Sequence, residues 1–238
     1  MTALVRPPGQ TAGQGRRPSA WAIIAGLVAT VLMALAGLVL TGLEWGSLAT
    51  SDAIDSAGAG AGAIAYAVLG ALIVRRAGNL AGWFMLAEGA ATAVMTTGSA
   101  YAIFGVKAYP GTLPAAVAAG ALAESAFVIV CAALAALFLV FPTGRLPSPR
   151  WRPAALTGLA LTGLTLAAFV VSTRQVALPA PGGISLSYPN PLAVQALQPV
   201  TWLGTMNGLA PVFILLLARR WSRWCFGTAA ATSGCASR

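Results

Sequence analysis

Long uncharged apolar runs alternate with short polar gaps along this chain, and the run lengths set the first expectation. The run at 20–43 holds 24 residues without a charge, and further runs follow at 57–74, 80–106, 115–141, 153–173 and 200–218. A helix needs roughly 20 residues, rising about 1.5 Å each, to cross a hydrocarbon layer of about 30 Å. The shortest run, at 57–74, has 18 residues. The runs are rich in Ala and Leu and lack strict alternation, which argues against membrane strands. The pattern predicts an all-α, polytopic integral membrane protein built as a six-transmembrane-helix bundle.

The gaps between runs carry a second pattern. Arginines cluster in every second gap: Arg6, Arg16 and Arg17; Arg75 and Arg76; Arg145, Arg150 and Arg152; Arg219, Arg220 and Arg223. With Arg238, twelve basic residues fall on one side and two, Lys107 and Arg174, on the other. Basic loops stay in the cytoplasm, so both termini are expected there and the location expected is the plasma (inner) membrane. Residues 1–19 read as a disordered basic tail. The run at 20–43 is too long for a signal-peptide core of about 7–15 residues and reads as an anchor. Residues 20–218 form the expected membrane domain and 219–238 a short cytoplasmic tail.

Composition agrees with lipid as the solvent: 58% of residues are hydrophobic and 8% are charged, against about 25% charged in soluble domains. The net charge of +9 reads as topology rather than a nucleic-acid surface, because the arginines flank apolar runs. The seven tryptophans fall near run ends, as an interfacial belt. There is no histidine, which removes imidazole ligands and a phospho-accepting His. Cys131, Cys225 and Cys235 have no metal spacing, and no phosphate loop or zinc-protease motif appears. No cofactor, metal or catalytic residue is expected. The partner expected first is the lipid bilayer.

Two carboxylates lie inside runs, Glu88 and Glu124. Buried charge in a membrane is costly, so each is a candidate for sensing as well as for a structural contact. Their expected depths differ by roughly 15 Å at 1.5 Å per residue, too far to share a proton. In the last run Pro211 removes a backbone donor and crowds the carbonyl of Asn207. Gly204 and Gly208 flank this point, so Asn207 and Pro211 mark either a packed kink or a hinge. The glycines at 58, 60 and 62 read as small-residue packing or a frayed helix start.

Three stretches stand together in order: Arg75-Arg76-Ala77-Gly78-Asn79-Leu80-Ala81-Gly82-Trp83; Phe141-Pro142-Thr143-Gly144-Arg145-Leu146-Pro147-Ser148-Pro149-Arg150-Trp151-Arg152-Pro153; and Asn190-Pro191-Leu192. The chain over 20–223 resembles the multi-span N-terminal membrane domain of actinobacterial two-component sensor histidine kinases. It departs at Leu80, Ala81 and Ala193 from the residues usual in such motifs. The resemblance implies a sensory domain in signal transduction, a homodimer and a cytoplasmic signalling partner. On physical grounds the prolines of the second stretch stiffen a turn. Arg145, Arg150 and Arg152 hold it at the anionic inner leaflet, at about 1 kcal/mol each. Trp151 sits among them. Residues 224–238 have no heptad and one charge, where such kinases continue into a catalytic core. A truncation or frameshift near Arg223 is the expectation, and no enzyme activity in this chain. The competing expectations are a small permease or transporter component, built on Glu88, Glu124, Asn207 and Pro211, and a non-functional remnant.

Overall fold

The structure, a computed structural model, describes residues 20–48, 50–141, 143–146, 152–180 and 184–200. Five α-helices account for most of these residues: α1 (Ala20–Leu43), α2 (Thr50–Ala77), α3 (Leu80–Ile103), α4 (Ala116–Val140) and α5 (Arg152–Ser172). Four of them are long and apolar enough to cross a membrane: α1, α2, α4 and Ala155–Ser172 of α5. The expected sixth run, at 200–218, lies outside the described residues from 201 on. So do Asn207, Pro211, Arg150 and Trp151.

α3 is as long as α1 but is more polar, with Glu88, Thr92, Thr96, Thr97 and Ser99 along its length. Its place explains how that polarity is sheltered. α3 packs along α1, α2 and α4 at once. The hydroxyls of Thr96 and Thr97 donate to the carbonyls of Thr92, 3.0 Å away, and of Met33 in α1, 2.7 Å away. A hydroxyl that keeps a carbonyl partner loses little on leaving water.

Helix contacts are made through small residues, as expected where lipid gives helices no hydrophobic reason to associate. A Cβ on Gly70 would lie 2.6 Å from the Leu86 nitrogen, one on Gly82 2.7 Å from the Val74 nitrogen, and one on Gly89 2.7 Å from the Ala63 oxygen. α2 and α3 therefore touch backbone to backbone. In the Gly58–Gly62 repeat only Gly60 meets a neighbour, Leu38 of α1, while Gly58 and Gly62 face open space. The repeat lies within α2, not at a frayed start.

Two element boundaries differ from the sequence pattern. α2 begins at Thr50 rather than at 57, so Asp52 and Asp55 are helical. Asp52 lies in the first turn, where a negative charge favours the helix dipole. α3 continues as a π-helical segment, Phe104–Ala108. The larger correction concerns the all-α class and the loop at 175–199. That loop holds an antiparallel hairpin, β1 (Gln175–Ala180) and β2 (Ile184–Pro189), with Ala177 opposite Ser187. A 3-10 turn, Gln195–Val200, follows.

The hairpin docks on the bundle. Val176 and Leu178 are buried against Ala102 and Ile103 of α3 and Ala121 of α4. Gly120 makes room: a Cβ there would lie 3.2 Å from both Val176 and Leu178. Successive strand residues alternate sides, so Ala177 is left facing the other way. The end of the bundle that carries this hairpin also gathers the ends of α1 and α3 and the starts of α2 and α4. The opposite end carries Arg75, Arg76, Arg145 and Arg152.

Candidate functional site

Three arrangements are built from the polar residues of this fold. The first is at the arginine end, where two of the sequence stretches meet. Gly78, at φ 61°, closes α2, its N–H donating to the Val74 carbonyl at 2.9 Å. Asn79 then caps α3, its side-chain oxygen accepting from the Gly82 N–H at 3.2 Å. Gly144, at φ 67°, closes α4 in the same way, its N–H donating to Val140 at 2.8 Å. The Leu80 N–H donates to the Gly144 carbonyl at 3.1 Å, and a Cβ on Gly144 would run into the Asn79 side chain. Arg145 is exposed beside this clasp and Arg152 is exposed at the start of α5. Gly78 and Gly144 are thus helix stops, Asn79 is a helix start, and Gly144 is locked against the residues that open α3.

The third stretch is also a cap. Asn190 is buried, and its side-chain amide donates to the carbonyls of Val170 at 3.0 Å and Thr173 at 2.9 Å. Its own side-chain oxygen accepts from the Leu192 N–H at 2.9 Å. The last carbonyls of a helix lack partners within it; Asn190 supplies one for α5, at Val170, and a second to Thr173 directly after its end.

The second arrangement joins the hairpin to Glu124. The Ala177 N–H of β1 donates to Glu124 Oε1 at 2.9 Å. Glu124 lies eight residues into α4 from Ala116, about 12 Å along the axis. A carboxyl in a helix long and apolar enough to cross a membrane is therefore tied to backbone that follows α5.

Glu88 is elsewhere. Gly98 against Ala123, Ala102 against Gly120 and Gly105 against Ala116 set an antiparallel α3/α4 register. That register places Glu88 about nine residues, roughly 14 Å, from the level of Glu124. Glu88 is buried, and its Oε2 has no hydrogen-bond partner among the described residues. The two carboxylates do not meet.

The third arrangement was not legible as a site. Glu44, directly after α1, is 3% exposed. It lines a cavity of about 240 Å³ together with Thr41, Asp52, Asp55 and Ser56 and with Ser99 and Ile103 of α3. Lys107, at the end of the π-helical segment, interacts with both Glu44 and Asp52. Burial pushes the Glu44 carboxyl up to about 7, with Lys107 opposing. Burial likewise pushes the Lys107 ammonium below its usual range, with Glu44 and then Asp52 opposing. In the sequence Lys107 is only a charge in a gap. The signal available was the acidic gap after the first run, but nothing in one sequence pairs that gap with residue 107.

Among the described residues no group of three or more His, Cys, Asp or Glu is arranged to hold a metal ion. Comparison with protein-family models, with curated proteins and with solved structures gives no match.

Proposed function

We propose that this chain is a membrane-embedded signal-input domain of the plasma membrane, with its arginine end in the cytoplasm and its hairpin end outside. In this reading α3 is a further span, its polar face sheltered by α1, α2 and α4, and the run at 200–218 is the last. The arginine distribution supports the orientation. The resemblance to sensor histidine kinase membrane domains supports the role, and with it a homodimer and a cytoplasmic signalling partner.

The observation that carries the reading is the hydrogen bond from Ala177 to Glu124. It fixes the hairpin to α4, where Val176 and Leu178 already pack on α3 and α4, and the chain passes from that hairpin toward the apolar run at 200–218. A stimulus that moves the hairpin then changes what α3 and α4 pack against. One such bond contributes about 1 kcal/mol net, which changes a two-state ratio about fivefold. That is the scale of bias a signalling device works with.

The test joins residues 1–223 to a histidine-kinase core that lacks its own sensor, in a series of linker lengths, and measures autophosphorylation in nanodiscs. Glu124→Leu, which removes the acceptor, is expected to change output about fivefold at equal insertion. Glu124→Gln, which keeps an acceptor oxygen, should lie closer to the native chain unless the charge itself matters. Equal output from all three at every linker length contradicts the proposal. Solute flux through vesicles carrying the unfused chain would favour the transporter reading instead.

A further inference from the structure

We propose that the hairpin end of the bundle carries a proton-operated closure: protonated Glu44 keeps the link between α1 and α2 seated over its cavity, and ionised Glu44 lets that link lift. The proposal concerns this chain's own movement and stands whether or not the chain acts on a kinase.

Geometry comes first. Glu44 is almost fully enclosed at the point where α1 ends and a short 3-10 turn, Trp45–Ser47, begins. This turn lies in the link from α1 to α2, and its residues Trp45 and Gly46 are exposed. The link is therefore a short flap held by buried Glu44 and by half-buried Leu48, which lines the same cavity and packs against the cluster of Ala102, Ile103 and Ala121. The charged groups around that side chain come from two other elements. Lys107 reaches it from the extension of α3, and Asp52 and Asp55 line the same cavity from the first turns of α2. No charged residue of α1 precedes Glu44. Ser99 and Thr41 supply hydroxyls to the same walls.

The chemistry follows from burial. A neutral carboxyl leaves water at modest cost, whereas an ionised one needs a close partner or solvent. Lys107 is such a partner, but Asp52 draws on the same ammonium. Burial disfavours both charges at once and holds the Glu44 carboxyl near 7. Ionisation is then best relieved by admitting water to the cavity, which already opens beside Glu44. The flap is the part free to move. Closed is the acid form, and open is the alkaline form.

The test is amide hydrogen exchange of residues 41–48 in the full chain in nanodiscs, between pH 5.5 and 8.5, corrected for intrinsic exchange. One titrating proton changes an opening equilibrium by at most about tenfold per pH unit. The native chain is expected to show severalfold loss of protection above a midpoint near 7. Glu44→Gln, neutral throughout, should stay protected and flat, while Asp55→Asn keeps a transition. A flat native profile, or the same transition in Glu44→Gln, overturns the proposal. Where Glu44→Gln does not fold, the chain labelled at its glutamate carboxyl carbons decides by NMR. With Glu88 and Glu124 replaced by Gln so that Glu44 is the one glutamate left, its titration together with the exchange transition supports the closure, and its titration below about 5, near ordinary values, overturns it.

Discussion

Replacing Gly70 of α2 with alanine tests whether the bundle is held by backbone contact. The added Cβ would meet the Leu86 nitrogen at 2.6 Å and the Gly82 oxygen at 2.7 Å, where ordinary contact begins at 3.4 Å. α2 and α3 would have to separate locally by about 0.8 Å, because neither obstacle is a side chain that can swing aside. Overpacking of this kind costs about 1–3 kcal/mol. Alanine's better helix propensity returns up to about 1 kcal/mol, so a net loss of about 0–3 kcal/mol is expected. Gly58, also in α2, is the control. A Cβ there meets nothing within 4 Å, and Gly58→Ala should gain up to about 1 kcal/mol. Gly82 faces Gly70 across the same contact, so Gly70→Ala and Gly82→Ala together should cost less than their sum, as coupled neighbours do. Reversible unfolding in bicelles, with the two single and the double variant compared, reads all of this. Gly70→Ala as stable as Gly58→Ala would refute the backbone crossing.

Two further outcomes follow from named groups. Asn190→Ala removes two donors, one to the end of α5 and one to Thr173 directly after it, and should cost about 1–3 kcal/mol, by the same unfolding assay, at about 0.5–1.5 kcal/mol per bond. Glu44 titrates at about 7 in the fold against 4.5 as its ordinary value. A raised carboxyl binds its proton more tightly in the fold, so its stabilising contribution is complete below 4.5 and is lost as pH rises through 7. Thermal unfolding should accordingly move to lower temperature between those limits, and Glu44→Gln should lack that component.

The apolar runs announced the helices because run length and helix length are set by the same span of about 30 Å. They announced boundaries less well. Asp52 and Asp55 looked like loop residues, yet Asp52 suits the first turn of α2. The hairpin was hidden by its prolines. Val176 and Leu178 alternate with polar or small neighbours, and Gly182-Gly183 stands between two such runs, which is a hairpin signal. The proline-rich composition of 175–199 outweighed it in a reading by composition. The motif residues were visible, but their work was not. Asn79 and Gly144 are 65 positions apart, and only the fold shows that one helix cap rests on another helix stop. Glu124 stood out as a carboxyl among apolar residues. Its partner, a backbone N–H at 177, has no side-chain signature at all.

A change at the hairpin is expected to reach the arginine end, roughly 24 Å along α4 from Glu124 to Val140 at about 1.5 Å per residue. Pulsed electron paramagnetic resonance measures this directly. Spin labels go on exposed Arg75 and Arg145, as Arg75→Cys and Arg145→Cys in a chain whose own cysteines are replaced. Glu124→Leu is expected to shift or broaden the distance distribution between the labels while insertion is unchanged. A distribution identical to that of the chain with Glu124 intact would contradict it.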